Sequence, residues 1–244
     1  MSRRPVIVSI RDLEKRHGEG QRAVWALRGV SFDVLQGEFV TLSGPSGSGK
    51  STLLNLIAGL DAPTSGEVLV DGADVARLSR RQRAELRRRT VAFVFQFFNL
   101  LPSLTGRENV AVPLRADRRP RRETSERVER ALAAVGIAHR ADHYPSEMSG
   151  GEMQRIAIAR ALATDARVIL ADEPTGNLDS VHGEEILELL KHAAERAGRA
   201  IVLVTHDLRA AAYGDRHIVL RDGRIVDVVT SGQTATVDGT STRH

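Results

Sequence analysis

Three short stretches carry residue types at spacings that can handle phosphate. Gly44-Pro45-Ser46-Gly47-Ser48-Gly49-Lys50-Ser51, followed by Thr52, matches G-x-x-x-x-G-K-[ST]. Its glycines let the backbone bend until successive N–H groups converge on phosphate oxygens. A helix starting near Lys50 adds its positive dipole end. Lys50 is placed to reach the β- and γ-phosphates of a nucleoside triphosphate, and the Ser51 hydroxyl to ligate Mg²⁺. Val168-Ile169-Leu170-Ala171-Asp172-Glu173 is an apolar run ending in two acids. Asp172 suits Mg²⁺, held through water, and Glu173 suits accepting a proton from an attacking water or orienting it. The alternative for these acids is a surface turn that caps the next helix. Ser149-Gly150-Gly151-Glu152 opens the third stretch. Ser149 is a good N-cap, while two glycines in a first turn are poor helix formers. They make sense if a phosphate must approach the backbone closely, or the stretch is an ordinary capped helix start.

Such groups need strands that end at them and helices that begin there. Short β-branched runs alternate with helix-period segments, which predicts an α/β fold with much parallel sheet. Strands are predicted at 6–13, 30–34, 38–43, 66–70, 91–95, 168–171 and 201–205, with Phe93 and Phe95 in the core. Arg221-Asp222-Gly223-Arg224 predicts a hairpin joining 218–220 to 225–229. Helices are predicted at 50–58, 184–196 and 207–212. Residues 107–162 read as mainly helical, with Val128, Leu132 and Val135 on one buried face and Gly136 as a stop. The N-terminal part is β-rich and contains the phosphate loop. One domain is expected over 5–230, with a helical block at about 100–162 inserted, a loop at 18–21 and a frayed polar tail at 231–244.

Composition narrows the function classes. The 244 residues are 41% hydrophobic and 27% charged, which excludes wholesale disorder. Aromatics at 4% are too few for a protein working mainly by base stacking. The absence of cysteine excludes disulfides, zinc fingers, iron–sulfur clusters and thiol catalysis. The net charge of +4 and pI of about 10.1 rest mostly on arginine. Arg80, Arg81, Arg83, Arg87, Arg88 and Arg89 form one cluster, and Arg115, Arg118, Arg119, Arg121 and Arg122 another. These are solvated helix faces and loops, or they lie near anionic lipid. No apolar run approaches a membrane span, so a cytoplasmic location is expected.

Together these stretches resemble the nucleotide-binding subunit of ATP-binding cassette (ABC) transporters, over about residues 5–230. Met148-Ser149-Gly150-Gly151-Glu152-Met153-Gln154-Arg155, continuing to Leu162, resembles the family signature. Ala171-Asp172-Glu173-Pro174-Thr175-Gly176-Asn177-Leu178-Asp179 resembles Walker B followed by the D-loop. Gln96 resembles the Q-loop glutamine that contacts Mg²⁺, and His206 the switch histidine that contacts the γ-phosphate. The wording of 59–66, 97–105 and 175–179 is similar to the lipoprotein-release, macrolide-export and antimicrobial-peptide-resistance ATPases. Three departures stand out. His17 occupies the place of a tyrosine that stacks on adenine. Met148 replaces the usual leucine, a volume-conserving change. Glu152 replaces the widespread glutamine, as in that branch.

The resemblance implies a P-loop NTPase cassette: a β-rich N-terminal part, a RecA-like core and an inserted helical subdomain. It implies ATP and Mg²⁺, the latter at Ser51, Gln96 and Asp172, and hydrolysis by Glu173 and His206. ATP contacts are expected from His17, 44–52, Gln96, Ser149, Gly150, Gly151, Glu152 and Asp179. Two copies would close head to tail on ATP, and closure would move a permease-type integral membrane subunit from the cytoplasmic face. Some of Phe97, Phe98, Leu100 and Leu101 would line its docking groove. No nucleic acid is expected: the helical block lacks the sustained heptads of DNA-acting relatives, and a single P-loop disfavours a two-cassette ribosomal regulator. The signature helix disfavours a small-molecule kinase. An ATPase regulating envelope or division machinery without transport stays open.

Overall fold

The computed structural model describes residues 4–18 and 23–231. In chain order its first half comprises β1 (Val6–His17), β2 (Val24–Leu35), β3 (Phe39–Ser43), α1 (Lys50–Ile57), β4 (Ser65–Val70), β5 (Ala73–Asp74), α2 (Arg80–Arg89) and β6 (Val91–Val94). There follow α3 (Gly106–Ala116), α4 (Arg121–Ala134), α5 (Gly150–Leu162), β7 (Val168–Asp172), α6 (Ser180–Ala197), β8 (Ala200–Val204), α7 (Leu208–Ala211), β9 (Arg216–Arg221) and β10 (Arg224–Thr230). A four-stranded antiparallel sheet has order β2-β1-β4-β5, and a six-stranded sheet has order β10-β9-β3-β8-β7-β6. In the larger sheet β9, β3, β8, β7 and β6 are parallel, and β10 folds back on β9.

Alternation along the parallel strands divides the interior in two. Val40, Leu42, Leu170, Val202 and Val204 pack with α1 and the N-terminal sheet. Phe39, Ile169, Ala171, Ile201 and Leu203 pack with α5, α6 and the helical block. This decides which sheet carries the phosphate loop. The phosphate loop does not belong to the N-terminal sheet: β3 is buried at every residue and so lies between two parallel neighbours, β8 and β9. The loop therefore leaves the core sheet.

β1 and β2 are longer than predicted. They pair as far as Arg16 with Trp25 and His17 with Val24, and register shifts along β1 interrupt the alternation that marks a strand in sequence. Residues 106–162 hold three α-helices and two short 3-10 turns, with Val128, Leu132 and Val135 buried and Gly136 at φ +68° after α4. α6 begins before the predicted 184 because Asp179 caps it, accepting from the His182 amide. Phe93 and Phe95 stack at 4.5 Å but are only half-buried, since the strand ends between them.

The first arginine cluster forms α2, entered through a Ser79–Gln82 capping box. Much of it is structural rather than merely solvated. Arg87 donates to Gly59 O at 3.0 Å, Arg83 to Leu78 O at 3.0 Å, and Arg89 to Asp117 at 3.0 Å. Arg80 and Arg81 remain exposed. The expected tail begins at Ser231, whose amide is anchored on Asp215 O at 2.8 Å. Residues 232–244, and most of the loop expected at 18–21, lie outside the described residues. Among the described residues no helix is long and apolar enough to cross a membrane.

Candidate functional site

β3, β8 and β7 are neighbours, and the loops after them meet at the carboxyl ends of the strands, where open α/β sheets bind ligands. A cavity of about 400 Å³ lies there. Its walls include Gly44, Ser46, Gly47 and Gly49 from the loop after β3, Lys50, Ser51 and Thr52 from α1, Glu173 after β7 and His206 after β8. Two glycines of the loop are sterically required. A Cβ on Gly49 (φ +101°) would overlap Ala26 O and lie 2.8 Å from Leu27. One on Gly44 (φ +145°) would overlap Leu220 O. Gly49 is also the N-cap of α1 and offers no side-chain cap. The first amides of that helix are thus free to meet an anion. The Lys50 ammonium donates to Gly44 O and Pro45 O, both at 2.8 Å. Burial pushes its pKa down, while the charges of Glu173 and Asp172 oppose the shift.

Asp172 ends β7 and accepts from the Ser51 hydroxyl at 3.3 Å. Burial holds its carboxyl above the ordinary carboxylate range, the Ser51 bond draws it down, and the Glu173 charge raises it again. These are hard oxygen donors beside a phosphate cradle, which fits a small divalent cation completing its shell with phosphate and water. Among the described residues no group of three or more His, Cys, Asp or Glu gathers as a self-sufficient metal site.

Glu173 sits in the left-handed region at φ +46°, a strained conformation held by its amide on Val204 O at 3.0 Å and by the Gly176 amide on its carbonyl at 3.0 Å. The turn presents its carboxylate to His206, with Glu173 Oε2 and His206 Nδ1 3.1 Å apart. The Gln96 side-chain amide lies against Gly176, 2.9 Å from where a Cβ would stand, and Asn177 donates to Gln96 O at 2.9 Å. Gln96 is thereby fixed to the turn that carries Glu173, though it does not line the cavity.

The remaining expected contacts lie elsewhere. Ser149, Gly150, Gly151, Glu152 and Asp179 are not on the cavity wall. The start of α5 packs beside the D-loop: Gly150 faces Leu178, and Gly151 faces the ring of His182, which binds Asp179 at 2.7 Å. Glu152, expected as an ATP contact, has partners within its own chain. One carboxylate oxygen accepts from the Ser149 amide at 2.8 Å and the other from Arg140 at 2.7 Å, which makes it a capping residue within this chain. His17 is exposed at the end of β1 and is not on the wall. It pairs with Val24, which shares a strand face with Ala26, and Ala26 does line the cavity. Of the apolar run after Gln96, Phe97 is 72% exposed and Leu101 48% exposed. Phe98 turns in toward Gly150, and Leu100 packs on the helical core. Arg160 of α5 holds this turn through the carbonyls of Phe98 (2.8 Å) and Asn99 (2.6 Å).

Three supports escaped the sequence reading. Ala26 supplies cavity wall and the surface on which Gly49 rests. The β9–β10 turn clamps the loop, with the Gly223 amide on Ser48 O at 3.2 Å and Gly223 O accepting from Arg28. His217 on β9 bridges the hydroxyls of Thr41 and Ser43 at 3.0 Å each, directly behind the loop. The small size of Ala26 and the Asp222-Gly223 pair are the only traces of these in the sequence.

A family model described as "ABC transporter" matches residues 27–176. An "Uncharacterized ABC transporter ATP-binding protein" of Thermotoga maritima is 48% identical over 226 residues, 93% of this chain and 96% of that protein. A similar solved structure is the ATP-binding cassette MJ0796, described as a dimer in a post-hydrolysis state bound to ADP and Pi. It has a TM-score of 0.85 and 42% identity, covering 91% of this chain and 98% of that one. Another is cbiO1 of Clostridium perfringens, described as part of the ABC transporter complex cbiONQ. It has a TM-score of 0.84 and 30% identity, covering 92% of this chain and 88% of that one.

Proposed function

This chain belongs to the ABC transporter family as an ATP-binding, ATP-hydrolysing subunit, and on that premise we propose that two copies close head to tail around ATP. One observation carries the reading. The phosphate loop, Glu173 and His206 share a single cavity wall, whereas the glycine-rich start of α5 in the same chain lies outside it. A second phosphate cup that cannot reach its own cavity is available to another copy's. The dimer described for MJ0796 supports this.

In that arrangement the α1 amides and Lys50 hold the β- and γ-phosphates. Ser51, Asp172 and Gln96 would hold Mg²⁺, which when bound neutralises charge developing on the phosphates. Glu173 takes the proton of the attacking water, and His206, engaged through Nδ1, leaves Nε2 for the γ-phosphate. Ser149 and the Gly150 and Gly151 amides of the second copy close the far side, with Asp179 beside them. His17 stacks on adenine over less area than a tyrosine would. Residues 5–230 act as one nucleotide-binding domain, with the helical block as its moving part.

The subunit sits at the cytoplasmic face of a membrane and drives an integral membrane partner of the lipoprotein-release, macrolide-export type. The docking position is the exposed pair Phe97 and Leu101, next to Gln96 and gripped from α5 by Arg160. ATP-driven closure thus reaches the partner through one turn. The test uses Glu173→Gln with ATP in sedimentation and in affinity purification from detergent-solubilised membranes. A dimer, with a polytopic membrane protein recovered, is expected. A monomer at saturating ATP, both alone and with membrane extract, would overturn the reading.

A further inference from the structure

A second cavity, of about 590 Å³, lies between α3 and the first turns of α4 and shares no lining residue with the nucleotide cavity. Arg107, Arg115, Arg119 and Arg121 line it, with Glu129 the one carboxylate. Arg107 is paired with Glu129 and Asp142, and Arg119 with Asp117, Glu123 and Asp165. The Arg115 and Arg121 side chains are exposed and make no hydrogen bond or ion pair among the described residues.

Two further features converge there. Thr124 lines the cavity and is 8% exposed, yet its hydroxyl has no hydrogen-bond partner. A buried hydroxyl without a partner is an exception in a folded protein and calls for an explanation. The start of α4 has no side-chain cap: its N-cap is Pro120, and Arg121 and Arg122 open the first turn. A helix start attracts anions and disfavours cations. The one acid of that turn, Glu123, is already taken by Arg119 and Arg127. Arg122 pairs with Glu126 one turn on, at 3.0 Å, but nothing in the folding of α4 accounts for Arg121 at an uncapped positive end.

We propose that this cavity binds the phosphate group of an organophosphate, independently of the ATP site. A tetrahedral oxyanion can take forked guanidinium donors from Arg115 and Arg121 on two sides and helix amides on a third. The cavity is far larger than a bare ion needs, since a water occupies roughly 30 Å³ in the liquid. The excess volume runs along Ala111 and Val128, which suits an organic portion. The phosphate is shared chemistry between a soluble phosphate ester and the headgroup of an anionic membrane lipid.

The test uses the full-length protein with ADP saturating, so that the phosphate loop is filled. Glycerol phosphate is titrated by calorimetry, and flotation is measured on phosphatidylglycerol and on phosphatidylcholine vesicles. Arg115→Ala with Arg121→Ala is compared with Arg80→Ala with Arg81→Ala, which removes the same charge elsewhere. Unchanged melting temperature and ATPase rate show that both remain folded. Saturable glycerol phosphate binding weakened at least about tenfold only by the Arg115/Arg121 pair supports the site with a soluble ligand. Flotation on phosphatidylglycerol alone, lost only in that pair, supports it with a lipid ligand. Binding of neither probe, or equal loss in both double variants, overturns the proposal.

Discussion

Glycine and serine stand together at the starts of both α1 and α5, and both were candidates for holding phosphate, but the two helices begin in opposite ways. At α1 the cap is a glycine without a side chain, forced into place by Ala26 and Leu27. Its first amides are left for a ligand, and its lysine folds back on the loop's own carbonyls. At α5 a reciprocal capping box satisfies the Ser149 and Glu152 amides from within, and Arg140 holds the glutamate. The first start is completed by an anion. The second is complete on its own, and only the Gly150 and Gly151 amides remain to be offered. On the proposed head-to-tail closure, a cup that binds alone and a cup that joins an existing complex would place different demands on the same local motif.

The largest test of this contrast is Glu173→Gln. Only the site at α1 carries a proton acceptor, so hydrolysis should fall by about 10²–10⁴ while ATP affinity is kept. Single-turnover hydrolysis and equilibrium binding measure the two separately. A comparable loss of affinity would mean that Glu173 organises the α1 cup rather than serving only the water.

Next in size is a matched pair of glycine substitutions. Gly49→Ala meets the Ala26 carbonyl at positive φ, and the backbone strain alone costs about 1–3 kcal/mol. ATP binding should be lost along with that stability. At Gly150 the nearest atom to an added Cβ is 3.6 Å away, and the backbone is helical. Gly150→Ala should therefore stabilise the fold by up to about 1 kcal/mol while weakening ATP-driven dimerisation. Thermal melts and sedimentation give the two signs. If Gly150→Ala dimerises normally, the α5 start is not a phosphate cup.

The contrast also marks what the sequence could show. Gly44 to Thr52, Val168 to Glu173 and Met148 to Leu162 are contiguous runs, so each was legible as a motif. The capping role of Glu152 was written in the same Ser-x-x-Glu spacing. The supports of the loop come from far along the chain. His217 and Gly223 reach it from β9 and the turn after it, and Ala26 from a strand whose register shifts mask its alternation. An arginine in sequence likewise does not declare whether it ends on water or, like Arg87, on a helix-end carbonyl.

Those supports make the two starts respond differently to acid. Burial holds His217 below the ordinary histidine value of 6.5. Its contribution to stability is complete above 6.5 and is lost as pH falls through its lower folded value, at up to about 1.4 kcal/mol per pH unit. Glu152 is held below the ordinary 4.5, first by the Ser149 amide, so its contribution begins to fall only beneath that. Melting curves from pH 7.5 to 5.5 should decline in the wild type and flatten in His217→Asn. An unchanged slope would place the acid sensitivity elsewhere.

The smallest expected effect is also the one that most sharply separates capping from ligand binding. Glu152→Gln keeps an acceptor for the Ser149 amide, because glutamine completes a capping box as glutamate does. What it loses is the charge paired with Arg140, a partly exposed pair worth about 0.2–1 kcal/mol. The helix start should survive, ATP-driven dimerisation should persist, and melting should shift only slightly. Arg140→Ala should reproduce that small shift, and the double variant should add nothing, since both remove one interaction. If Glu152→Gln instead alters ATP-driven dimerisation while leaving melting unchanged, the carboxylate meets the nucleotide across the dimer. The start of α5 would then be completed from outside, as α1 is.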